Sequence, residues 1–304
     1  MAVIRDLLVH VGAEHAPSHA FEWAAALAAE RGARLGAVLA CAPVQAGLGL
    51  SAETAALAQR LDRERHEALQ ASAERLASTA RQRHGLEIGL RYLPGDPVAA
   101  LQAAAGMTDL LVLSQSVPQA HDGLSSAQLA RLVVGAAGPV LLVPHIGLAR
   151  CEGGERPDAL IRRVLVAWSA TRECARALRD ALPLLCGAAQ VELLSLSSPG
   201  AAHEAERREA MACTAAWLSR HGVACSLRLG PLPAASDVPV AEMLLSHAAE
   251  TGADLIVMGG YGHSRLREFV MGGVTRTMLA TMTVPVLMSH WCRACGASFW
   301  RWCC

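Results

Sequence analysis

Short apolar runs alternate with Ala-rich stretches of helical period, and the alternation is played through twice. The first half opens on Asp6-Leu7-Leu8-Val9-His10-Val11 and the second on Val164-Leu165-Val166-Ala167-Trp168, each followed by an Ala-rich segment with helical spacing. The pattern predicts strands over 7–11, 35–40, 87–92, 110–113 and 140–143, then over 164–167, 190–196, 225–229, 255–258 and 286–288. A long helix is predicted over about 52–84; its Arg60, Asp62, Arg63, Glu64, Arg65 and Glu67 give it a solvated face. Further helices begin near Arg172, His203, Val240 and Val274. Runs of Val, Leu and Ile with few polar interruptions suit strands covered by helices on both faces, so the expectation is a parallel, doubly wound α/β sheet in each half.

The two halves also match position by position. Thr108-Asp109-Leu110-Leu111-Val112-Leu113-Ser114 aligns with Ala253-Asp254-Leu255-Ile256-Val257-Met258-Gly259, and Gly138-Pro139-Val140-Leu141-Leu142 with Val284-Pro285-Val286-Leu287-Met288, at offsets of 145 and 146 residues. Two features at nearly one spacing indicate an internal duplication. Gly147, Gly153, Gly154 and Pro157 interrupt periodicity over 144–157, so the expected units are 1–150 and 151–290, with a Cys- and Trp-rich tail over 291–304. A chain of 304 residues is long enough for two such cores.

Composition narrows the function classes. Lys plus Arg and Asp plus Glu both total 27. No net field favours nucleic acid or an anionic membrane, and no basic run is interleaved with aromatics. No apolar stretch reaches transmembrane length, and the N-terminus enters a strand rather than a signal sequence; the expectation is a cytoplasmic protein with no membrane partner. Cys41, Cys151, Cys174, Cys186, Cys213 and Cys225 are scattered singly, as small hydrophobes in a reducing compartment would be.

The chemistry-bearing signal is Gly259, Gly262 and Gly272 in the pattern Gly-x2-Gly-x9-Gly, directly after the apolar run over 253–258. Glycines between a buried parallel strand and a helix N-terminus let backbone amides approach a phosphate, where the helix dipole favours negative charge. In a doubly wound sheet the ligand crevice lies beyond the carboxyl ends of the strands, so the ends of the first and fourth strands should border it.

The stretch Gly259-Gly260-Tyr261-Gly262-His263-Ser264-Arg265-Leu266-Arg267-Glu268, continuing through Met271-Gly272-Gly273-Val274-Thr275 to Val284-Pro285-Val286, resembles the universal stress protein family. The tandem arrangement, the Gly95-Asp96-Pro97 turn and the Ala253-Asp254 strand entry extend the resemblance to about His290. It implies two tandem Rossmann-like five-stranded sandwiches, akin to adenine-nucleotide hydrolases, joined as an internal pseudo-dimer through their fifth strands. It also implies ATP or AMP as ligand of the second half. Gly259 and Gly262 would line ribose and phosphates, with Met258 closing the strand before them. Gly272, Gly273 and Val274 would present amides, His263 and Arg265 positive charge, and Ala167 and Leu196 would meet adenine.

Two positions depart from the family pattern. The hydroxyl residue after the third glycine is Gly273 here, unless Thr275 replaces it; the acidic residue ending the first strand is Ser169, and Gly12 in the other half. Losing a charge-assisted hydrogen bond costs about 1.5–3 kcal/mol, so weak or AMP-like binding is expected, if the site is used at all. In the first half Ser114 and Val117 stand where Gly259 and Gly262 do, which marks it as a degenerate, packing partner.

The remaining constellations read as structural. Cys292, Cys295, Cys303 and Cys304 have zinc-like spacing, set against a plain tail. Asp109 and Asp254 precede strands and suit turns. His10, His66 and His247 suit satisfied structural roles, and Trp23, Trp168 and Trp217 core or interface positions, with Trp168 a candidate border of the adenine pocket. No nucleophile elbow is present, and a slow ATPase would need a metal-binding carboxylate that the sequence does not single out. The expected function is therefore a non-enzymatic nucleotide-holding sensor that changes its protein partner. The alternative is an interaction module without nucleotide; a further homodimer of chains stays open.

Overall fold

The computed structural model describes residues 3–12, 19–41, 52–116, 123–146, 159–197, 204–232, 240–260 and 273–290. Their strands form one ten-stranded sheet. The first half supplies β1 (Asp6–Val11), β2 (Arg34–Cys41), β3 (Ile88–Pro94), β4 (Leu110–Ser114) and β5 (Val140–Val143). The second supplies β6 (Arg163–Ala167), β7 (Gln190–Ser197), β8 (Ser226–Pro231), β9 (Leu255–Gly259) and β10 (Val286–Ser289). Their order across the sheet is β3-β2-β1-β4-β5-β10-β9-β6-β7-β8, so the second five repeat the first in mirror sequence about the centre. All neighbours run parallel except β5 and β10, which pair antiparallel with Val286 opposite Leu142 and Met288 opposite Val140. That central join is the fifth-strand pairing the resemblance implies.

Helices cover both faces, as the apolar strands require. One face lies under α1 (His19–Arg31), α2 (Ala52–His84), α5 (Arg172–Leu185) and α6 (Glu204–Arg220), where Phe21, Trp23, Leu69, Leu178, Leu184, Met211 and Leu218 are buried. The other lies under α3 (Pro97–Ala104), α4 (Ser126–Gly135), α7 (Val240–Thr251) and α8 (Gly273–Thr281), where Leu101, Leu129, Leu244, Met278 and Leu279 are buried. Side chains alternate along β6 accordingly: Val164, Val166 and Trp168 belong to the first core, Leu165 and Ala167 to the second.

The duplication repeats its fastenings. Asp109 Oδ2 accepts from the amides of Arg5 and Asp6 at 2.7 and 3.0 Å, and Asp254 Oδ2 from those of Arg162 and Arg163, both at 2.9 Å. Each carboxylate holds the entry of its half's first strand, which accounts for an Asp at that place in both copies. In the turn before α3, Asp96 accepts from the amides of Val98 and Ala99 with Pro97 at the first helical position. The edge strands β3 and β8 run a few residues beyond their predicted ends because their side chains are half exposed and the apolar signal fades there. The expected division near Cys151 and the tail over 291–304 lie outside the described residues. Among the described residues no helix is long and apolar enough to cross a membrane.

Candidate functional site

The crevice expected at the carboxyl ends of the strands can be built from β6, β7, β9 and α8. Ala167 pairs in register with Met258 on one side and Leu194 on the other. Ala167, Leu196, Met258 and Val274 all pack on the same face, under α7 and α8. The structure thus brings together the residues expected to meet adenine with the end of β9 and the start of α8. Gly262, His263, Arg265 and Gly272 lie outside the described residues.

At the end of β9 the two glycines answer to two different neighbours. A Cβ on Gly259 would stand 2.6 Å from the amide nitrogen of Cys174 and 2.7 Å from the carbonyl carbon of Glu173, so α5 could not approach β9 as it does. A Cβ on Gly260 would stand 2.7 Å from Val133 Cγ1, on α4 of the first half. Close packing alone therefore calls for glycine at both positions. Gly260 is further held by its amide donating to the Ser289 carbonyl and by its own carbonyl beside His290 Nδ1, both at 2.9 Å. Ser289 Oγ is buried beside this pair and makes no hydrogen bond among the described residues.

The start of α8 is different. Around Gly273 an added Cβ would meet nothing within 4 Å. The residue before it is another glycine, Gly272, so the sequence offers no side chain there to cap the helix amides. Thr275 is turned inward, 4 % exposed. Ser169 sits apart from the Ala167 face: its hydroxyl lies 3.1 Å from that of Thr171, the N-cap of α5. Its amide donates to Cys174 Sγ at 3.5 Å. Burial, foremost, pushes the Cys174 thiol above its ordinary pKa, a setting that suppresses thiolate chemistry. Trp168 does not border the Ala167 side either, because its Nε1 donates to Thr214 Oγ1 on α6 at 3.1 Å.

The same place in the first half is closed. Strand register puts His10 where Ala167 stands, since His10 pairs with Val38 as Ala167 pairs with Leu194. His10 is 4 % exposed and donates from Nε2 to the Ala40 carbonyl at 3.1 Å, at the end of β2. Burial lowers its pKa, against the pull of that hydrogen bond. At the start of α4, Ser125 caps Gln128 and Gln128 returns a bond to the Ser125 amide, a complete capping box. Gln115, next after β4, is 2 % exposed and reaches into the second half: Nε2 donates to the carbonyls of Leu279 and Ala280 at 3.1 and 3.0 Å. Its Oε1 accepts from the amide and Nδ1 of His145. Neither His10 as a plug nor Gln115 as a tie was singled out from sequence; the signal for Gln115 is a polar residue aligned with Gly260 across the repeat.

Comparison with known proteins accords with this frame. Residues 235–290 match the model of the universal stress protein family. No curated protein matches the chain. Among solved structures, a universal stress protein from Archaeoglobus fulgidus superposes with a TM-score of 0.66 at 14 % identity, covering 95 % of this chain and 97 % of its own. A protein of unknown function from Pseudomonas aeruginosa superposes with a TM-score of 0.54 at 16 % identity, covering 94 % and 92 %. The family's segment thus lies at the end of the second half, and the fold is shared over nearly the whole chain with a solved universal stress protein.

Proposed function

We propose that the second half holds an adenine nucleotide, AMP or ATP, weakly and without turning it over, and that the first half serves as its packing partner. The observation that supports this most is the contrast at one place in the sheet. In the first half the crevice carries the His10 imidazole and a self-capped α4; in the second it carries the Ala167 methyl and an α8 that opens on two glycines. A helix that opens on glycines, which bring no side chain of their own to its first amides, suits an anion, and the apolar ends of β6 and β7 suit a base. Gly273 in place of a hydroxyl sets the affinity low. A sensor of cytoplasmic nucleotide that passes its state to a protein partner is the role this site fits.

Calorimetric titration with AMP and ATP tests the reading, with Ala167→His as the decisive variant because it copies the plug of the first half. Wild type should bind in the high micromolar range or weaker, and Ala167→His should lose the heat of binding while keeping its fold by circular dichroism. No heat from wild type at millimolar nucleotide would sink the reading. One observation favours a second function, an interaction module without nucleotide: α5 alone explains the absence of a side chain at Gly259.

A further inference from the structure

On the sheet face opposite Ala167, the end of β6 and the first turns of α5 border with α6 an open cavity of about 640 Å3. Trp168 and Trp217 give it flat apolar surfaces. The one polar atom of the Trp168 indole is already satisfied by Thr214, so the ring offers only its apolar body and its π-face. Ala175 on α5 and Ala210 on α6 are too short to fill the space between the helices. Arg172 and Arg179, seven residues apart and therefore on one side of α5, both line the cavity, and among the described residues no carboxylate does. Arg172 is paired with the buried Glu173 at 3.1 Å; Arg179 is exposed and makes no ion pair among the described residues.

Two indoles, a floor of small residues and a guanidinium left without a counter-charge together select a ligand that is flat, apolar over most of its area and negative at one end. The volume is in the range of small-molecule sites, which bury a largely apolar ligand and orient it by a few polar groups. Guanidinium pairs with carboxylate in a two-pronged geometry, and it also stacks on rings. We propose that this cavity is a second binding site, separate from the nucleotide crevice, for an aromatic carboxylate. It does not depend on the nucleotide reading, since it lies on the other core and uses none of the residues of α8; Ser169, which also lines it, turns its hydroxyl to Thr171 and away from the Ala167 face.

The test is a titration of the full chain with naphthoate and, in parallel, with its neutral counterpart naphthamide, read by calorimetry and by quenching of tryptophan emission. Naphthoate should bind at micromolar concentration and naphthamide roughly tenfold more weakly, the loss expected when one charged hydrogen-bonding partner is removed. Arg179→Gln should weaken naphthoate about fivefold and leave naphthamide unchanged. Ala175→Phe should abolish binding by occupying the cavity. Ala175→Glu, at an exposed helical position that tolerates the change, should do so by charge, which guards against a misfolded Phe variant. Saturating AMP should not alter the naphthoate affinity. Equal affinity for the two probes, binding that survives both Ala175 variants, displacement by AMP, or no binding at millimolar naphthoate would each overturn the proposal.

Discussion

The crevice bounded by β1, β4 and α4 and the one bounded by β6, β9 and α8 share a backbone and differ in almost every side chain that faces them. His10 answers to Ala167, Gln115 to Gly260, and the Ser125–Gln128 capping box to the glycine pair before Val274. In the first half each polar group is consumed within the protein: His10 by Ala40, Ser125 by its own helix, Gln115 by the last turn of α8. The duplicated frame tolerates this divergence because strand pairing and the Asp109 and Asp254 clamps do not depend on what lines the crevice. One copy has become part of the scaffold that positions the other.

Substitutions that swap or erase these differences measure how deep the contrast runs. The largest effect is expected from Gly259→Val, whose side chain would collide with the backbone at Glu173 and Cys174; a loss of about 3 kcal/mol in urea unfolding is expected, and a loss below about 1 kcal/mol would mean that α5 yields easily. Gln115→Leu leaves two carbonyls of α8 and His145 without their partner and should cost about 2–3 kcal/mol, with the nucleotide affinity of the second half falling as α8 loosens. Ser125→Ala should cost about 1 kcal/mol of stability and leave nucleotide binding untouched, because α4 caps itself and serves no ligand. Gly273→Ser has open space for its side chain and restores the hydroxyl that the family resemblance expects; it should tighten AMP binding by up to tenfold in calorimetry.

The smallest expected effect concerns pH. His10 has its pKa lowered mainly by burial, so the unfolded chain takes up a proton near the ordinary value of 6.5 that the folded chain refuses. The stability tied to His10 is therefore fully present above about pH 6.5 and is lost as the pH falls below that value. Urea midpoints at about pH 7.5 and about pH 5.5 should separate in wild type and draw together in His10→Asn, whereas Ala167 gives the second half no such dependence.

Most of the frame was legible in the sequence because buried parallel strands announce themselves as unbroken apolar runs: α2 is predicted and found over the same span, and β5 coincides with its prediction. Less of the site could be read. Gly259 points to a ligand when only its spacing is considered, yet its tightest neighbours are residues of α5 some 85 positions earlier, a contact that no local pattern records. Trp168 was legible in principle, since alternation along β6 puts it with Val164 and Val166, away from Ala167. His10 defeats sequence reading for another reason: a lone histidine at a strand end carries no sign of which cavity its ring occupies.

The antiparallel seam at the centre of the sheet has a consequence for anyone dividing the protein. Cut between its halves, each fragment would carry Val140–Val143 or Val286–Ser289 as a raw border, apolar on both sides and with its amides and carbonyls in search of mates. The readiest mate for such a fragment is its own twin, and solitary halves should be recovered as pairs.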